Sequence, residues 1–137
     1  MTTTHCLCTQ LRRTARGVTR RYDDALAGAG LTTAQFSLLR HLQRLDSPSI
    51  TDLATAMGLE RSTLGRNVRV LEAQGLLELG SAGDQRNRLV VMTAQGRMRL
   101  DEAVHAWNGA QAQLTQKFGS EKRAALMALL DELHALE

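Results

Sequence analysis

Two short segments of the sequence carry side chains whose types and spacing suit chemistry or binding. The first is His5-Cys6-Leu7-Cys8, which holds two thiols and an imidazole. A thiol at a helix N-terminus has a lowered pKa and is oxidised more readily, and soft metal ions bind thiolate and imidazole. Two or three local ligands leave a tetrahedral metal site incomplete, so a partner subunit would have to complete it. Redox sensing by the two thiols, binding of a soft metal by Cys6, Cys8 and His5, and a role as small apolar residues are three open interpretations.

The second segment concentrates hydrogen-bond donors on one face of a predicted helix. If Leu64, Val68 and Leu71 point inward, the residues between them face outward or flank the buried stripe. Arginine side chains bind guanine and phosphate, asparagine binds adenine, and hydroxyl groups bind phosphates or base edges. The pattern predicts a surface for the major groove of double-stranded DNA, made of Arg61, Ser62, Thr63, Arg66, Asn67 and Arg69.

A polar loop that contains glycine follows this helix. It separates two short runs with an extended pattern, Leu76–Leu79 and Arg88–Met92, and this order is typical of a β-hairpin. Arg86 would lie at the hairpin tip, where an arginine can enter a minor groove because the negative potential is strongest there. Asp84 would orient the Arg86 guanidinium, and Arg88 would follow beyond the tip.

Helical periodicity predicts that most of the chain is α-helical. A first helix is expected from about Cys6 to Ala27, because apolar residues recur there at helical spacing. The T-x-x-Q pattern of Thr32 and Gln35 is a capping box, which predicts the start of a second helix. Pro48 and the polar residues before it end that helix.

A short third helix and the donor-rich fourth helix occupy the centre of the chain. A tight turn at Gly58 separates them, and Gly75 ends the fourth helix. Two short helices joined by such a turn and followed by a hairpin predict a winged helix-turn-helix. A long fifth helix to about Phe118 and a sixth helix with Ser120 as its N-cap complete the pattern.

The composition restricts the class of protein. A length of 137 residues fits one domain, and a hydrophobic fraction of 43% is enough for a core. Aromatic residues make up only 3% of the chain, too few for a surface that stacks the bases of single-stranded nucleic acid. The net charge of +3 permits an anionic partner.

Targeting and catalytic motifs are not evident in the sequence. Residues 1–20 are polar and basic, unlike a signal peptide, and no apolar run approaches the roughly 18 residues of a membrane span. Neither a G-x-S-x-G motif nor a phosphate-binding loop is present. We therefore expect a cytoplasmic protein that is not an enzyme, uses no cofactor and does not contact a membrane.

The chain resembles the MarR family of bacterial regulators over nearly its full length. The resemblance rests on Ile50-Thr51-Asp52-Leu53-Ala54, on Arg61-Ser62-Thr63-Leu64, and on the wing Asp84-Gln85-Arg86-Asn87-Arg88 leading to Met92-Thr93-Ala94-Gln95-Gly96. It implies a mainly α fold with a small β-hairpin wing, that is, a winged helix-turn-helix in an interlocked helical homodimer. It also implies that two recognition helices enter successive major grooves of a pseudo-palindromic operator. The DNA-contacting positions carried over are Ser62, Thr63, Arg66, Asn67, Asp84 and Arg86.

The resemblance assigns residues 1–137 to a single domain with two parts. Residues from about 5 to 28 and from about 94 to 137 would form the dimerisation helices. Residues from about 32 to 93 would form the winged helix-turn-helix. The sequence supports a dimer independently, because a small central module cannot cover the apolar stripes of all the terminal helices.

Members of the family commonly change their DNA affinity when a signal binds. Their ligands are typically small aromatic or phenolic molecules held between the dimerisation and DNA-binding parts. Cys8 precedes Tyr22 by fourteen residues, which resembles a peroxide-sensing branch whose first-helix cysteine is hydrogen-bonded by tyrosines. Thr33 stands near the expected place of the second tyrosine. The expected function is repression that is released by a small ligand or by modification of a cysteine, with an oxidant or a soft metal as the agent of modification.

Two alternatives belong to other classes of protein. A winged-helix module for protein assembly would present neutral or apolar residues on the fourth helix, whereas this helix presents arginine, hydroxyl and amide groups. A small thiol redox protein would use Cys6 and Cys8, but such proteins carry a C-x-x-C motif in a βαβ setting. The sequence lacks that motif.

Overall fold

A computed structural model describes residues 5–80 and 88–136, which form six α-helices and one two-stranded sheet. The helices are α1 (Leu7–Leu26), α2 (Thr33–Leu45), α3 (Ile50–Met57), α4 (Arg61–Ala73), α5 (Ala94–Phe118) and α6 (Ser120–His134). The strands are β1 (Leu77–Leu79) and β2 (Val90–Met92). This order confirms the predicted winged helix-turn-helix, while Asp84 and Arg86 lie outside the described residues.

The hydrophobic core forms where the short central helices meet the sheet. Leu39 of α2, Leu53 of α3 and Leu64 of α4 are fully buried. Leu26 of α1 and Leu100 of α5 reach the same cluster from the two long helices. Each such side chain contributes about 1.5–3 kcal/mol when it leaves water, so the core fixes α4 against the rest of the chain.

The start and end of α2 follow from local interactions. The Thr32 hydroxyl accepts a hydrogen bond from the Gln35 backbone N–H at 3.2 Å, and the Gln35 side chain accepts one from the Thr32 N–H at 3.0 Å. These two bonds confirm the predicted capping box. Beyond Leu45, Asp46 and Ser47 adopt left-handed φ values of 54° and 56°, which end the helix before Pro48.

The hairpin is attached to the helix-turn-helix through residues 48–50, which pair with its second strand. The two strands pair antiparallel, with Leu77 opposite Met92, Glu78 opposite Val91 and Leu79 opposite Val90. The Val90 N–H also donates to the Pro48 carbonyl at 2.8 Å, and the Ile50 N–H donates to the Arg88 carbonyl at 3.1 Å. The base of the hairpin is therefore held against the start of α3.

The turn between α5 and α6 corrects the expectation that Ser120 caps α6. The N-cap residue is Gly119, and Ser120 is the first helical residue. Gly119 has a φ of 105°, a conformation that residues with a β-carbon rarely adopt. Its N–H donates to the Thr115 carbonyl at 2.8 Å, and its carbonyl accepts the first bond of α6 from Arg123 at 2.9 Å.

The terminal helices leave much of their apolar surface exposed. In α1, Leu26 is the sole buried residue, and α6 has none among its described residues. The exposed apolar side chains of these two helices include Leu7, Leu11, Leu126, Leu129 and Leu130. Within the described ranges, no helix combines the length and apolar character needed to cross a membrane.

Candidate nucleic-acid interface

Helix α4 presents a polar face to solvent because its apolar residues point into the core. Leu64, Val68 and Leu71 are buried, as their spacing predicts. The side chains between them lie toward the outside of the molecule. Asn67 is half-buried, and the exposed members of the predicted set on this helix are Arg61, Ser62, Thr63, Arg66 and Arg69.

A groove of about 610 Å³ lies between α4 and the base of the hairpin. Arg61, Arg66 and Arg69 line it from α4, and Arg88 lines it from the segment that leads into β2. Glu72 is the one acidic residue among its described lining residues. Four guanidinium groups against one carboxylate make the groove strongly attractive to a polyanion such as the DNA backbone.

The Arg88 side chain is held in place by the hairpin itself. Its Nε donates to the Gly80 carbonyl at 3.0 Å, across the base of the hairpin, and the side chain is half-buried. Its backbone carbonyl accepts from Ile50 at the start of α3. Arg88 is therefore bonded both to the hairpin and to the start of α3, and the second of these contacts is not evident from the sequence.

The C-terminal end of α4 is locked to the start of α5. Gly75 ends α4 with a φ of 76°, and its carbonyl accepts a hydrogen bond from the Thr93 hydroxyl at 2.7 Å. The same hydroxyl accepts from the Gly96 N–H at 3.0 Å and caps α5. A β-carbon on Gly96 would collide with the Leu76 carbonyl oxygen. The T-x-x-G pattern of the sequence is thus a junction that fixes the end of α4 against the start of α5.

Glu72 is a residue of the groove that sequence reasoning missed. It is exposed and lies three positions after Arg69, so both side chains share one face of α4. The spacing of three residues between Arg69 and Glu72 indicates this shared face from the sequence alone. A carboxylate here repels phosphate and reduces the net positive charge that the arginines create.

The two cysteines lie at the N-terminus of α1. Cys6 is the N-cap residue and Cys8 lies in the first turn, and both side chains are exposed. Hydrogen bonds from the Thr9 hydroxyl and the Thr9 backbone N–H lower the pKa of the Cys6 thiol. Across residues 5–80 and 88–136, no three His, Cys, Asp or Glu side chains are grouped so as to hold a metal ion. The single chain therefore does not assemble a metal site from His5, Cys6 and Cys8.

Tyr22 lies far from the cysteines of its own chain. Because α1 is continuous, the fourteen residues from Cys8 to Tyr22 span about 21 Å at roughly 1.5 Å per residue. The Tyr22 hydroxyl donates to the Gln111 side chain at 3.0 Å, and its ring lies 6.3 Å from that of Trp107. Within one chain, Tyr22 joins α1 to α5 and does not reach Cys6 or Cys8.

Comparison with known proteins identifies relatives for both the central module and the whole chain. The model of the MarR family matches residues 29–87, a range that contains α2, α3, α4 and β1. The HTH-type transcriptional regulator YwoH of Bacillus subtilis is 24% identical over 120 residues, which is 88% of this chain and 88% of YwoH.

Two solved structures of regulators on DNA have the same architecture. The transcriptional regulator MosR of M. tuberculosis, in complex with DNA, is 35% identical, has a TM-score of 0.80, and is matched over 97% of this chain and 99% of its own. The transcriptional repressor CouR, bound to a 23-mer duplex, is 27% identical with a TM-score of 0.85, over 94% and 92% of the two chains. The shared architecture and these matches show that the chain belongs to the MarR family of transcriptional regulators.

Proposed function

We propose that the chain is a sequence-specific DNA-binding repressor that acts as a homodimer. The observation that carries the proposal is the groove between α4 and the hairpin, which gathers Arg61, Arg66, Arg69 and Arg88. The solved complexes of MosR and CouR with DNA support it. Arginine at such a position can bind guanine edges or phosphates, depending on how deeply the helix enters the groove.

The proposed DNA contacts extend beyond the arginines of the groove. Ser62, Thr63 and Asn67 occupy the first two turns of α4, where a recognition helix meets base edges. Asp84 and Arg86 lie outside the described residues, and their role at a wing remains a prediction from sequence.

The exposed apolar surface of the terminal helices supports the homodimer. Leu129 of α6 is 62% exposed and Leu7 of α1 is 58% exposed, although both lie on strongly apolar stripes. Large apolar side chains that are exposed in this number on two helices suit a surface that a partner covers. We propose that residues 1–137 form one domain, with dimerisation helices at about 5–28 and 94–137 around a winged helix-turn-helix at about 32–93. A dimer places two copies of α4 at the spacing that a palindromic operator requires.

Release from DNA is proposed to follow modification of Cys6 or binding of a small ligand. The Cys6 thiol is exposed at a helix N-terminus, and the hydrogen bonds from Thr9 favour its thiolate form. With a peroxide as oxidant, the thiolate attacks one peroxide oxygen and the O–O bond breaks, so that sulfenic acid forms and hydroxide or alkoxide leaves and takes a proton from the solvent. We place this route ahead of metal binding because oxidation needs only one thiol, whereas a tetrahedral metal site needs about four ligands.

DNA binding is tested by fluorescence anisotropy with the duplex upstream of the protein's own gene, measured over a range of salt concentrations. Replacing Arg66 with Ala should weaken binding by about 1–3 kcal/mol if the arginine contacts a base. If it contacts a phosphate, the salt slope should fall by about one unit. Arg12→Ala removes an exposed arginine of α1 and serves as the control. Unchanged affinity in both Arg66→Ala and Arg61→Ala would contradict the proposal.

Release is tested on the same duplex with and without hydrogen peroxide. The wild-type complex should dissociate after oxidation and form again after a thiol reductant is added. Cys6→Ser should remain bound under oxidant. If Cys6→Ser is released like the wild type, the Cys6 route fails and small ligands become the proposed input.

A further inference from the structure

A short polar contact joins α1 to the start of α2. One oxygen of the Asp23 carboxylate accepts hydrogen bonds from the Thr33 backbone N–H at 2.7 Å and from the Thr33 hydroxyl at 2.6 Å. Both residues are half-buried. Hydrogen bonds to an ionised carboxylate are among the stronger ones in proteins, and lengths below about 2.9 Å are typical of them.

The position of Thr33 makes this contact more than a local surface bond. Thr33 is the first residue of α2, so its N–H is one of the helix donors that have no partner within the helix. A carboxylate is also favoured at a helix N-terminus by the helix dipole. Asp23 therefore holds the start of α2 against the last turn of α1.

A second polar contact holds the link between the two helices from the other side. Arg99 of α5 donates from Nη1 to the Ala29 carbonyl at 3.3 Å. Its guanidinium lies against Gly30, where a β-carbon would come within 2.8 Å of Nη1. The link from Ala27 to Thr32 is thus held by α5 at its centre and by α1 at its end.

These contacts lie where the two functional parts of the chain meet. Helix α2 packs against α3, α4 and β2, so its direction sets the direction of the recognition helix. Helices α1 and α5 carry the surfaces that the proposed dimer buries. We propose that Asp23 is a positioning residue that fixes the angle between these two parts, and thereby sets the separation of DNA half-sites that the dimer accepts. This inference rests on the proposed function.

The inference is tested by selection from a random-sequence duplex library with the full-length protein. The wild type should enrich paired half-sites at one separation. Asp23→Ala should enrich a shifted or broader separation, and should bind the wild-type duplex about tenfold more weakly because a charged hydrogen bond is lost. Asp24→Ala changes the exposed neighbouring carboxylate and should behave as the wild type.

A conservative variant separates positioning from a general loss of stability. Asp23→Asn keeps an oxygen that accepts from Thr33, so it should restore the wild-type separation. Sedimentation velocity and circular dichroism establish that each variant is folded and has the wild-type oligomeric state. If Asp23→Ala does not fold, Thr33→Val takes its place, because it removes the 2.6 Å bond and keeps the backbone donor.

Two outcomes contradict the inference in different ways. A folded Asp23→Ala or Thr33→Val protein that enriches the wild-type separation with wild-type affinity overturns the positioning role. A wild-type protein that enriches no duplex at all overturns the proposed function itself, and the inference falls with it.

Discussion

The backbone of Gly96 in α5 lies directly against the carbonyl oxygen of Leu76, which leaves no room for a β-carbon. A methyl group there would also come within 2.9 Å of the Met92 side chain. We expect Gly96→Ala to destabilise the fold by about 1–3 kcal/mol or more, because a well-packed core resists added volume. Urea unfolding measures the change. Gly17→Ala is the control, since a β-carbon at Gly17 meets nothing within 4 Å and alanine favours a helix.

Ser47 follows α2 with a left-handed φ of 56°, which is costly for a residue with a β-carbon. Replacing it with glycine should raise the free energy of unfolding by about 1 kcal/mol, because glycine adopts this conformation without strain. A substitution at Ser49, two residues later, should instead lower the free energy of unfolding. Ser49→Ala removes the hydroxyl that accepts from the Asp52 N–H at 3.0 Å and should lower the free energy of unfolding by about 1 kcal/mol. Equal stabilities of the two variants in thermal unfolding would contradict this account.

Glu72 places a carboxylate among the arginines of the groove. Glu72→Gln should tighten binding to any duplex about threefold to tenfold at low salt, because a like charge facing phosphate is removed. The gain should shrink as salt is added. Glu78→Gln is the matched control, since Glu78 is exposed on β1 and is not part of the groove. If both variants change affinity equally, the effect reflects net charge alone.

Thr9 lowers the pKa of the Cys6 thiol through its hydroxyl and its backbone N–H. Thr9→Val removes the hydroxyl and keeps the N–H, so the pKa of Cys6 should rise and less thiolate should be present near neutral pH. Alkylation by iodoacetamide, followed by mass spectrometry over a pH series, should show slower reaction at Cys6 with its midpoint moved to higher pH. Cys8 in the same sample is the internal control. An unchanged Cys6 profile would show that the Thr9 hydroxyl does not stabilise the thiolate.

Local sequence signals predicted most of the fold. The spacing of Leu64, Val68 and Leu71 predicted which face of α4 is buried, and that face is buried. The capping box of Thr32 and Gln35 predicted the start of α2, and both of its hydrogen bonds are present. Such signals act over a few residues, so they can be read from the chain without knowing its tertiary structure.

Contacts between distant segments were not predicted, because no local pattern encodes them. The Tyr22 hydroxyl bonds Gln111, a residue 89 positions away, and no local pattern in the sequence indicates this contact. The bond between Asp23 and Thr33 likewise depends on how α1 meets α2. Ser120 was expected to cap α6 because serine is a frequent N-cap, but the conformation of Gly119 moved the helix start by one residue.

Thr93 has one hydroxyl group, and that group serves two helices at once. It donates to the Gly75 carbonyl just after α4 and accepts from the Gly96 N–H in the first turn of α5. The end of α4 and the start of α5 are consequently joined through one side chain. Loss of this one hydroxyl, as in Thr93→Val, would therefore release the end of α4 and remove the N-cap of α5 at the same time.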